Sequence, residues 1–234
     1  MDARMSLKER VRPFLRSSTF FGGFSDVALD GLITYGHSKS YGKGDILYRR
    51  GEPGEGLAVL LTGRIKITNT SSDGREVVLN FLGPGDIVGE IAALDGKKRT
   101  ADAVALEACE VFAIQSRDLL PTLVANPTAL LEIVQILCEK LRSTSAIIED
   151  NALAMRSRTA RGLLRLAQQH GRTSKDGIRL QLPISQRELG GYLGLSRENV
   201  SRQLGQLKDT NVIKIAGSEI IIIDEQGLAL IADE

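Results

Sequence analysis

The sequence of 234 residues is poor in the residues that build metal centres, disulfide frameworks and aromatic cores. It contains two cysteines, two histidines and no tryptophan, and aromatic residues make up 4% of the chain. With His37 and His170 as its histidines and no cysteine cluster, the chain lacks the ligands of an iron–sulfur cluster or a conventional zinc site. We therefore expect no metal site, with a haem held by His37 or Cys109 as a minor alternative. We expect Cys109 and Cys138 to be small buried apolar residues.

Long apolar runs and catalytic signatures are also missing. No apolar stretch approaches the roughly 20 residues of a membrane-spanning helix, and the N-terminal segment is charged rather than built like a signal peptide. We therefore expect a cytoplasmic protein without a membrane partner. No nucleophile accompanies a suitable histidine and no dinucleotide fingerprint is present, so we expect no catalytic residues and no enzyme activity. The acidic pair Glu149 and Asp150 is expected to be solvated on a helix surface.

Charge is distributed unevenly along the chain. The 30 basic and 29 acidic side chains nearly cancel, but residues 156–214 hold twelve Lys or Arg against four Asp or Glu, which leaves 18 against 25 elsewhere. Such an asymmetry is typical of a nucleic-acid-binding module joined to a domain of another kind. With 42% apolar residues, the chain has enough aliphatic side chains for two modest domains.

Short β-rich runs separated by glycine turns indicate an antiparallel sandwich or barrel between Leu29 and about Ile114. Asp73-Gly74 predicts a hairpin turn within this region. The predicted strands are Asp45–Tyr48, Leu57–Leu61, Arg64–Thr68, Glu76–Phe81, Ala101–Leu106 and Cys109–Ile114.

After Pro127 the pattern becomes helical. Residues that recur at spacings of three and four form a seam typical of a coiled coil. The position of this seam between a β-rich region and a basic region favours a two-fold dimer axis. We therefore predict a dimerisation helix over residues 127–156 and a homodimer. The seam comprises Val134, Leu137, Leu141, Thr144, Ile148, Ala152 and Met155.

The basic region contains the pattern of a helix-turn-helix. The segment Gln186–Leu195 reads as a first helix and a tight turn, and the run Ser196–Arg202 begins a second helix. This second helix places Arg197, Glu198 and Arg202 on or near one face, where they can hydrogen-bond to base edges in a DNA major groove. Double-stranded DNA is therefore the predicted partner, and an interaction module without a DNA role is the alternative from another class.

Further segments complete the predicted DNA-binding module. Ser157–His170 reads as a helix, and Gly171–Gly177 reads as a polar loop. Val212–Ile215 and Glu219–Ile223 read as a hairpin. A hairpin that follows a helix-turn-helix predicts a winged helix, here over residues 157–234.

The segment Ile87–Leu94 and the loop after it have the chemistry to hold a cyclic phosphate on a ribose. Gly89 lets the backbone approach a ligand, and a short helix that starts there offers free N–H groups to the phosphate. Arg99 supplies a charged fork for phosphate oxygens, and Thr100 adds a hydroxyl donor. Glu90 can accept a hydrogen bond from the ribose 2′-hydroxyl. Opposite charges flanked by apolar positions indicate a bound group between them.

Two motifs together resemble those of a known family. Val88-Gly89-Glu90-Ile91-Ala92 with Arg99-Thr100-Ala101 is similar to the phosphate-binding cassette of cyclic-nucleotide-binding domains, and Ser196–Arg202 is similar to a family recognition helix. The chain is identified as a member of the cyclic AMP receptor protein and fumarate-nitrate regulator (CRP/FNR) superfamily. The resemblance implies an α+β fold with an N-terminal β-roll, a jelly-roll-like double-stranded β-helix, over residues 1–126. A long dimerisation helix and a C-terminal winged helix-turn-helix follow.

The resemblance also implies an effector and its contacts. The effector is cyclic AMP, with cyclic GMP or another small effector as alternatives. Glu90 would hold the ribose, and Arg99 with Thr100 would hold the cyclic phosphate. Thr144 and Ser145 match the pair that reaches the purine, one from each subunit, which favours cyclic AMP over cyclic GMP. The rest of the implied ligand site comprises Ile67 and Leu82 against the base, and Val88, Gly89, Ile91, Ala92 and Ala101.

On the DNA side, the resemblance implies palindromic sites with half-sites similar to TGTGA. Arg197 and Arg202 are suited to guanine O6 and N7, and Glu198 is suited to a cytosine amino group. Asn199 can read adenine, and Gln203 replaces an apolar residue, which leaves the packing of this helix open. RNA polymerase is a further partner that the resemblance implies. The implied DNA-binding residues are Ser185, Arg187, Ser196, Arg197, Glu198, Asn199 and Arg202.

Overall fold

The computed structural model describes residues 6–217 and 219–234. Residues 1–5, which the predicted first domain includes, and Ser218 lie outside the described residues. The chain divides into two compact units. The first contains the residues up to Asn69 and Asn80–Arg142, and the second contains Thr70–Leu79 and Ser143–Glu234.

Two sheets and five α-helices are formed by residues 7–150, mostly from the first unit, although two strands and the long helix each continue from one unit into the other. The sheets have the strand orders β1-β8-β3-β6 and β2-β7-β4-β5. The helices are α1 (Leu7–Ser17), α2 (Asp26–Tyr35), α3 (Glu90–Asp95), α4 (Ser116–Val124) and α5 (Pro127–Asp150). The strands are β1 (His37–Tyr41), β2 (Ile46–Tyr48), β3 (Gly56–Thr62), β4 (Ile65–Thr70), β5 (Glu76–Leu82), β6 (Ile87–Val88), β7 (Asp102–Ala105) and β8 (Cys109–Gln115).

The alternation of side chains along the strands produces two apolar layers. On β3, Leu57, Val59 and Leu61 belong to a buried cluster that includes residues of α1, α2 and α4. Leu60, on the opposite face of the same strand, belongs to a second cluster that contains side chains from both sheets. The two sheets therefore pack face to face as the predicted β-roll, and helices cover the outer face of one sheet.

The β-rich region begins later than its sequence pattern suggests. Leu29 lies in α2, which begins where the Ser25 side chain accepts a hydrogen bond from the Ala28 N–H at 3.2 Å. The first strand is instead β1, which the sequence analysis did not identify. This strand has no buried residue, so it lacks the apolar alternation by which a strand can be recognised.

The long helix α5 is shorter than predicted. It ends at Asp150, and Arg158 donates hydrogen bonds to two carbonyl oxygens in the turn that follows, at 2.6 and 3.1 Å. Carbonyl groups at a helix end need such partners, so Arg158 stabilises the chain where it leaves the helix. Ala152 and Met155, the last two residues of the predicted seam, lie beyond α5.

The apolar face of α5 is exposed in this single chain. Val134, Leu141 and Ile148 are 55%, 69% and 66% exposed. Cys138 is also exposed, so the prediction that both cysteines are buried is confirmed for Cys109 and wrong for Cys138. Cys138 lies four residues after Val134 and three before Leu141, which places it on the same helical face.

No single helix among the described residues combines the length and the apolar composition needed to cross a membrane. The helices α4 and α5 reach that length and composition only as a pair, and the pair is bent by 113° at its break. At this break the Ala125 N–H donates to the Pro121 carbonyl oxygen at 3.1 Å, and Pro127 begins the next helix.

The second unit is a winged helix with a sheet larger than predicted. Its four strands have the order β11-β12-β10-β9. The prediction of a polar loop at Gly171–Gly177 is wrong, because this segment forms β9 and the turn into β10. The elements are α6 (Met155–His170), β9 (Gly171–Ser174), β10 (Gly177–Leu180), α7 (Gln186–Leu193), α8 (Arg197–Asp209), β11 (Ile213–Ala216), β12 (Glu219–Ile222) and α9 (Glu225–Ala232).

The second helix of the helix-turn-helix, α8, packs on its unit through Val200, Gln203, Leu204 and Leu207. Gln203 is 5% exposed, and its side-chain oxygen has no hydrogen-bond partner among the described residues. Although this residue is polar, it occupies a core position, so the helix keeps the packing face that an apolar residue would give it. The unpaired oxygen makes this position costly for the stability of the unit.

Candidate functional site

The predicted cassette is built around a turn that favours glycine. Gly89 has φ 86° and caps the N-terminus of α3, and a Cβ at this position would lie 2.3 Å from Arg99 Nη1. Val88 precedes it in β6 and is buried in the interior of the β-roll. The first N–H groups of a helix have no intrahelical acceptor, so those at the start of α3 can face a ligand. The prediction of a short helix that starts at Gly89 is confirmed.

Arg99 is held over this helix start by its own chain. Its Nη1 donates to the Gly89 carbonyl oxygen and its Nη2 donates to the Gly56 carbonyl oxygen, each at 2.7 Å. The guanidinium lies 4.4 Å from the centre of the Tyr48 ring. Its Nε–H is buried and has no acceptor among the described residues. A permanently charged group with an unused buried donor suits an anion such as a phosphate.

Tyr48 is a component of the site that no sequence motif indicated. Burial raises the pKa of its phenol well above the usual range, and the negative charge of Glu90 adds to this effect. The phenol therefore stays protonated, and its ring supports the Arg99 guanidinium. Only the fold reveals this contact, because β2 and Arg99 are far apart in the sequence.

Glu90 faces a cation that the sequence analysis also missed. It is the first residue of α3, it is 6% exposed, and its carboxylate pairs with the Lys140 ammonium group on α5. A carboxylate that uses one oxygen for a cation retains lone pairs that can accept a ligand hydroxyl. Lys140 lies one helical turn before Thr144, and this i, i+4 spacing is the signal by which it could have been found.

The other predicted ligand residues differ in their surroundings. Ile67 and Leu82 lie at the apolar interior of the β-roll, beside Val88. Ala92 and Ala101 are buried, whereas Ile91 and Thr100 are exposed. Thr144 and Ser145 are exposed on α5 and belong to the second unit, so their role toward a purine stays a prediction.

The helix-turn-helix has the predicted geometry. Gly194 ends α7 with φ 65°, and Ser196 begins α8, where its side chain accepts a hydrogen bond from the Asn199 N–H at 3.2 Å. A Cβ at Gly190 would lie 2.6 Å from the Leu195 carbonyl oxygen. The chain between the two helices therefore passes too close to α7 for a larger residue at this position.

The predicted base-reading residues share one exposed face of the second unit. Arg197, Glu198 and Arg202 line a single shallow concavity. Gln186, at the start of α7, and Ser201 complete this concavity and were not predicted. Ser201 lies in the run Ser196–Arg202, four residues after Arg197 on the same helix, whereas the packing of α7 against α8 places Gln186 beside the arginines.

The charges on this face are arranged for hydrogen bonding. The pKa of Glu198 lies below its usual range because its own backbone N–H and the Ser196 hydroxyl donate to the carboxylate, and Arg197 adds an attractive charge. The carboxylate is therefore an acceptor at neutral pH, as a cytosine amino group requires. Arg202 Nη2 donates to the side-chain oxygen of Asn199. Asn199 thus orients Arg202, in addition to its predicted preference for adenine.

The predicted phosphate contacts include two helix caps. The Ser185 hydroxyl donates to the Glu188 carboxylate at 2.8 Å and accepts from the Glu188 N–H at 3.2 Å. Ser196 caps α8 by accepting a hydrogen bond from the Asn199 N–H. Arg187 is exposed on α7. The contacts of these three residues with phosphate stay predictions.

Comparisons with known proteins match two separate parts of the chain to family models. Residues 38–126 match the cyclic nucleotide-binding domain, and residues 157–231 match the Crp-like helix-turn-helix domain. The chain is 31% identical over 201 residues to the cAMP-activated global transcriptional regulator CRP of Salmonella typhimurium, covering 85% of this chain and 95% of that protein. It is 29% identical over 218 residues to the CRP-like cAMP-activated global transcriptional regulator of Mycobacterium tuberculosis, covering 92% and 96%. The structure of FixK2 from Bradyrhizobium japonicum aligns with a TM-score of 0.75 at 26% identity, over 84% of this chain and 96% of that one.

Proposed function

Because the chain belongs to the CRP/FNR family of transcription regulators, we propose that it is a cyclic-AMP-responsive homodimer that binds palindromic DNA in the cytoplasm. A cyclic-nucleotide-binding domain and a DNA-binding domain lie in this one chain. Both curated relatives described above carry the words cAMP-activated in their names. The proposed half-sites are similar to TGTGA, and RNA polymerase is the proposed protein partner.

The observation that carries the proposal is the placement of Glu90 and Arg99 at the start of α3. The carboxylate of Glu90 is buried beside Lys140, and the guanidinium of Arg99 lies over Gly89 with an unused Nε–H. A cyclic nucleotide carries a ribose hydroxyl for the first group and an anionic phosphate for the second. A buried carboxylate and a half-buried guanidinium, each with spare hydrogen-bonding capacity, thus fit both polar ends of this effector.

The proposed mechanism couples this site to DNA through α5. The purine of the nucleotide would contact Thr144 of one protomer and Ser145 of the other. This would fix the two recognition helices about 34 Å apart, one turn of duplex DNA. An effector can shift the protein toward this arrangement only if the effector binds this arrangement more tightly than it binds the competing arrangement.

Parallel titrations test the effector and the partner together. Isothermal titration calorimetry is expected to give tighter binding of cyclic AMP than of cyclic GMP. Fluorescence anisotropy with a labelled palindromic TGTGA duplex is expected to show binding that requires the nucleotide. Preference for cyclic GMP, or no binding of either nucleotide, would contradict cyclic AMP as the effector. Nucleotide binding without any DNA binding would instead favour an interaction module.

The exposed apolar face of α5 is the proposed dimer contact. Leu141 is 69% exposed in the single chain, and we expect Leu141→Glu to raise the dimer dissociation constant by at least about tenfold, because a charge would be buried at the axis. Sedimentation equilibrium measures this change. Ser143→Glu is the matched control, since residue 143 lies on the opposite side of the helix from residue 141. Equal dissociation constants for the two variants would contradict the assignment of this face.

A further inference from the structure

Asp150, the last residue of α5, is buried where a helix end disfavours a negative charge. It is 3% exposed, which contradicts the expectation that Glu149 and Asp150 are both solvated. The C-terminal end of a helix carries partial negative charge, and burial removes the water that would stabilise the carboxylate. Glu149, its neighbour, is exposed. The position of Asp150 is therefore unfavourable unless other groups compensate its charge.

Two arginines of α6 provide this compensation. Arg165 Nη2 lies 2.7 Å from Asp150 Oδ2, and Arg161 Nη1 lies 3.4 Å from Asp150 Oδ1. Arg161 also donates from its Nε to the Ala232 carbonyl oxygen at 2.9 Å, at the end of α9. The carboxylate therefore joins the end of the long helix to two further helices of the second unit.

The same network reaches the first helix of the helix-turn-helix. Arg165 Nε donates to the Tyr192 hydroxyl at 3.0 Å, and Tyr192 is 6% exposed on α7. Close by, a Cβ at Gly162 of α6 would lie 2.1 Å from Leu193 Cδ2, so α6 and α7 are in tight contact. A displacement of α6 would therefore be passed to α7 rather than absorbed by loose packing.

We propose that Asp150 is a positioning residue which, through Arg165 and Tyr192, makes the placement of the helix-turn-helix depend on the end of α5. Thr144 precedes Asp150 by six residues on the same helix, about 9 Å along its axis. A nucleotide that changes the setting of α5 at Thr144 thus acts on the DNA-binding helices through the Asp150 carboxylate. This inference rests on the proposed function, since it assumes that a nucleotide controls DNA binding.

The test is the factor by which cyclic AMP enhances DNA affinity, measured by anisotropy with and without nucleotide. Asp150→Asn keeps the shape of the side chain but removes its charge. We expect this variant to lower the enhancement at least about fivefold, while its nucleotide affinity without DNA stays within about twofold. Glu149→Gln is the matched control because it removes a neighbouring exposed charge, and it is expected to leave the enhancement unchanged.

A second variant separates positioning from stability. Tyr192→Phe removes only the hydroxyl that accepts from Arg165, and we expect it to lower the enhancement about twofold. If the two side chains act in one network, the double variant with Asp150→Asn and Tyr192→Phe will lower the enhancement no more than Asp150→Asn alone. A purely structural role would reduce the unfolding temperature and leave the enhancement intact.

The possible outcomes separate this inference from the proposed function. Full enhancement in Asp150→Asn would overturn the positioning role while the proposed function stands. If Asp150→Asn does not fold, full enhancement in Tyr192→Phe would overturn the positioning role instead. No enhancement in the unmodified protein, with cyclic AMP or cyclic GMP, would overturn the proposed function itself.

Discussion

Replacing Arg99 with alanine is expected to abolish nucleotide-dependent DNA binding while the dimer remains intact. The guanidinium is the permanent positive charge held over the start of α3, and its Nε–H has no acceptor within the described chain. Removing one partner of a buried, hydrogen-bonded charge pair costs about 2 to 5 kcal/mol. That cost weakens nucleotide binding by about 30-fold or more.

Calorimetric titration with cyclic AMP measures this loss, and sedimentation equilibrium checks the dimer. Lys97→Ala is the matched control, because Lys97 lies in the same loop and its side chain is 81% exposed. It removes the same charge without removing a group of the proposed site, so we expect nearly unchanged nucleotide affinity. Unchanged DNA affinity in Arg99→Ala would contradict the cassette assignment.

Arg99 also has a structural role that this experiment must separate from ligand binding. Its two hydrogen bonds tie the start of α3 to the start of β3 through the Gly89 and Gly56 carbonyl oxygens. Thermal unfolding of Arg99→Ala without nucleotide gives the cost of losing these bonds, which we expect to be about 1 to 3 kcal/mol in total. The fold must remain populated at the titration temperature for the loss of nucleotide affinity to be attributed to the site.

Replacing Arg202 with alanine is expected to cost about 1 to 3 kcal/mol of DNA affinity at its cognate base pair. The loss should disappear when that pair in the duplex is itself changed, because a bidentate contact with guanine reads one position. Arg202 is positioned for this role by the side-chain oxygen of Asn199, which accepts a hydrogen bond from its Nη2. Nucleotide affinity measured without DNA should not change.

Anisotropy titrations with cognate and scrambled palindromes distinguish base reading from general attraction to phosphate. Lys208→Ala is the matched control, since it removes one exposed positive charge from the far end of the same helix. We expect this control to weaken binding to both duplexes by a similar and small factor. Equal losses on the two duplexes in Arg202→Ala would contradict its role in reading a base.

Local patterns were sufficient to predict the elements that carry an apolar periodicity or follow a glycine turn. The strands of the predicted sandwich or barrel follow from short β-rich runs and glycine turns, and α8 follows from the tight turn before it and the run Ser196–Arg202. In contrast, β1 and β9 have no buried side chains and are held by backbone pairing, β1 with the distant strand β8 and β9 with the adjacent strand β10. Hydrogen bonds between backbones leave no trace in the side-chain pattern, so these strands could not be predicted.

The candidate site was predictable where one short motif contains the chemistry. Gly89, Glu90 and Arg99 lie within eleven residues, and their spacing indicates a phosphate site. Lys140 reaches Glu90 from a helix fifty residues later, and Tyr48 reaches Arg99 from an earlier strand. Such partners depend on tertiary packing, which no local pattern in the sequence encodes.

Asp150 shows how a correct secondary-structure prediction can still mislead about environment. The sequence places it on a helix beside Glu149, where two acidic residues ordinarily face water. The arginines that bury it lie eleven and fifteen residues later on α6. The turn that ends α5 brings them back to the carboxylate, and nothing in the helical periodicity predicted that turn.

The two cysteines differ in exposure, so the alkylation of Cys138 can report on the apolar face of α5. Burial raises the pKa of the Cys109 thiol, so this side chain reacts slowly with alkylating reagents. Cys138 is exposed on the apolar face of α5, beside Leu141. A maleimide therefore modifies one position per free chain, and the rate of that modification records how long the face remains uncovered.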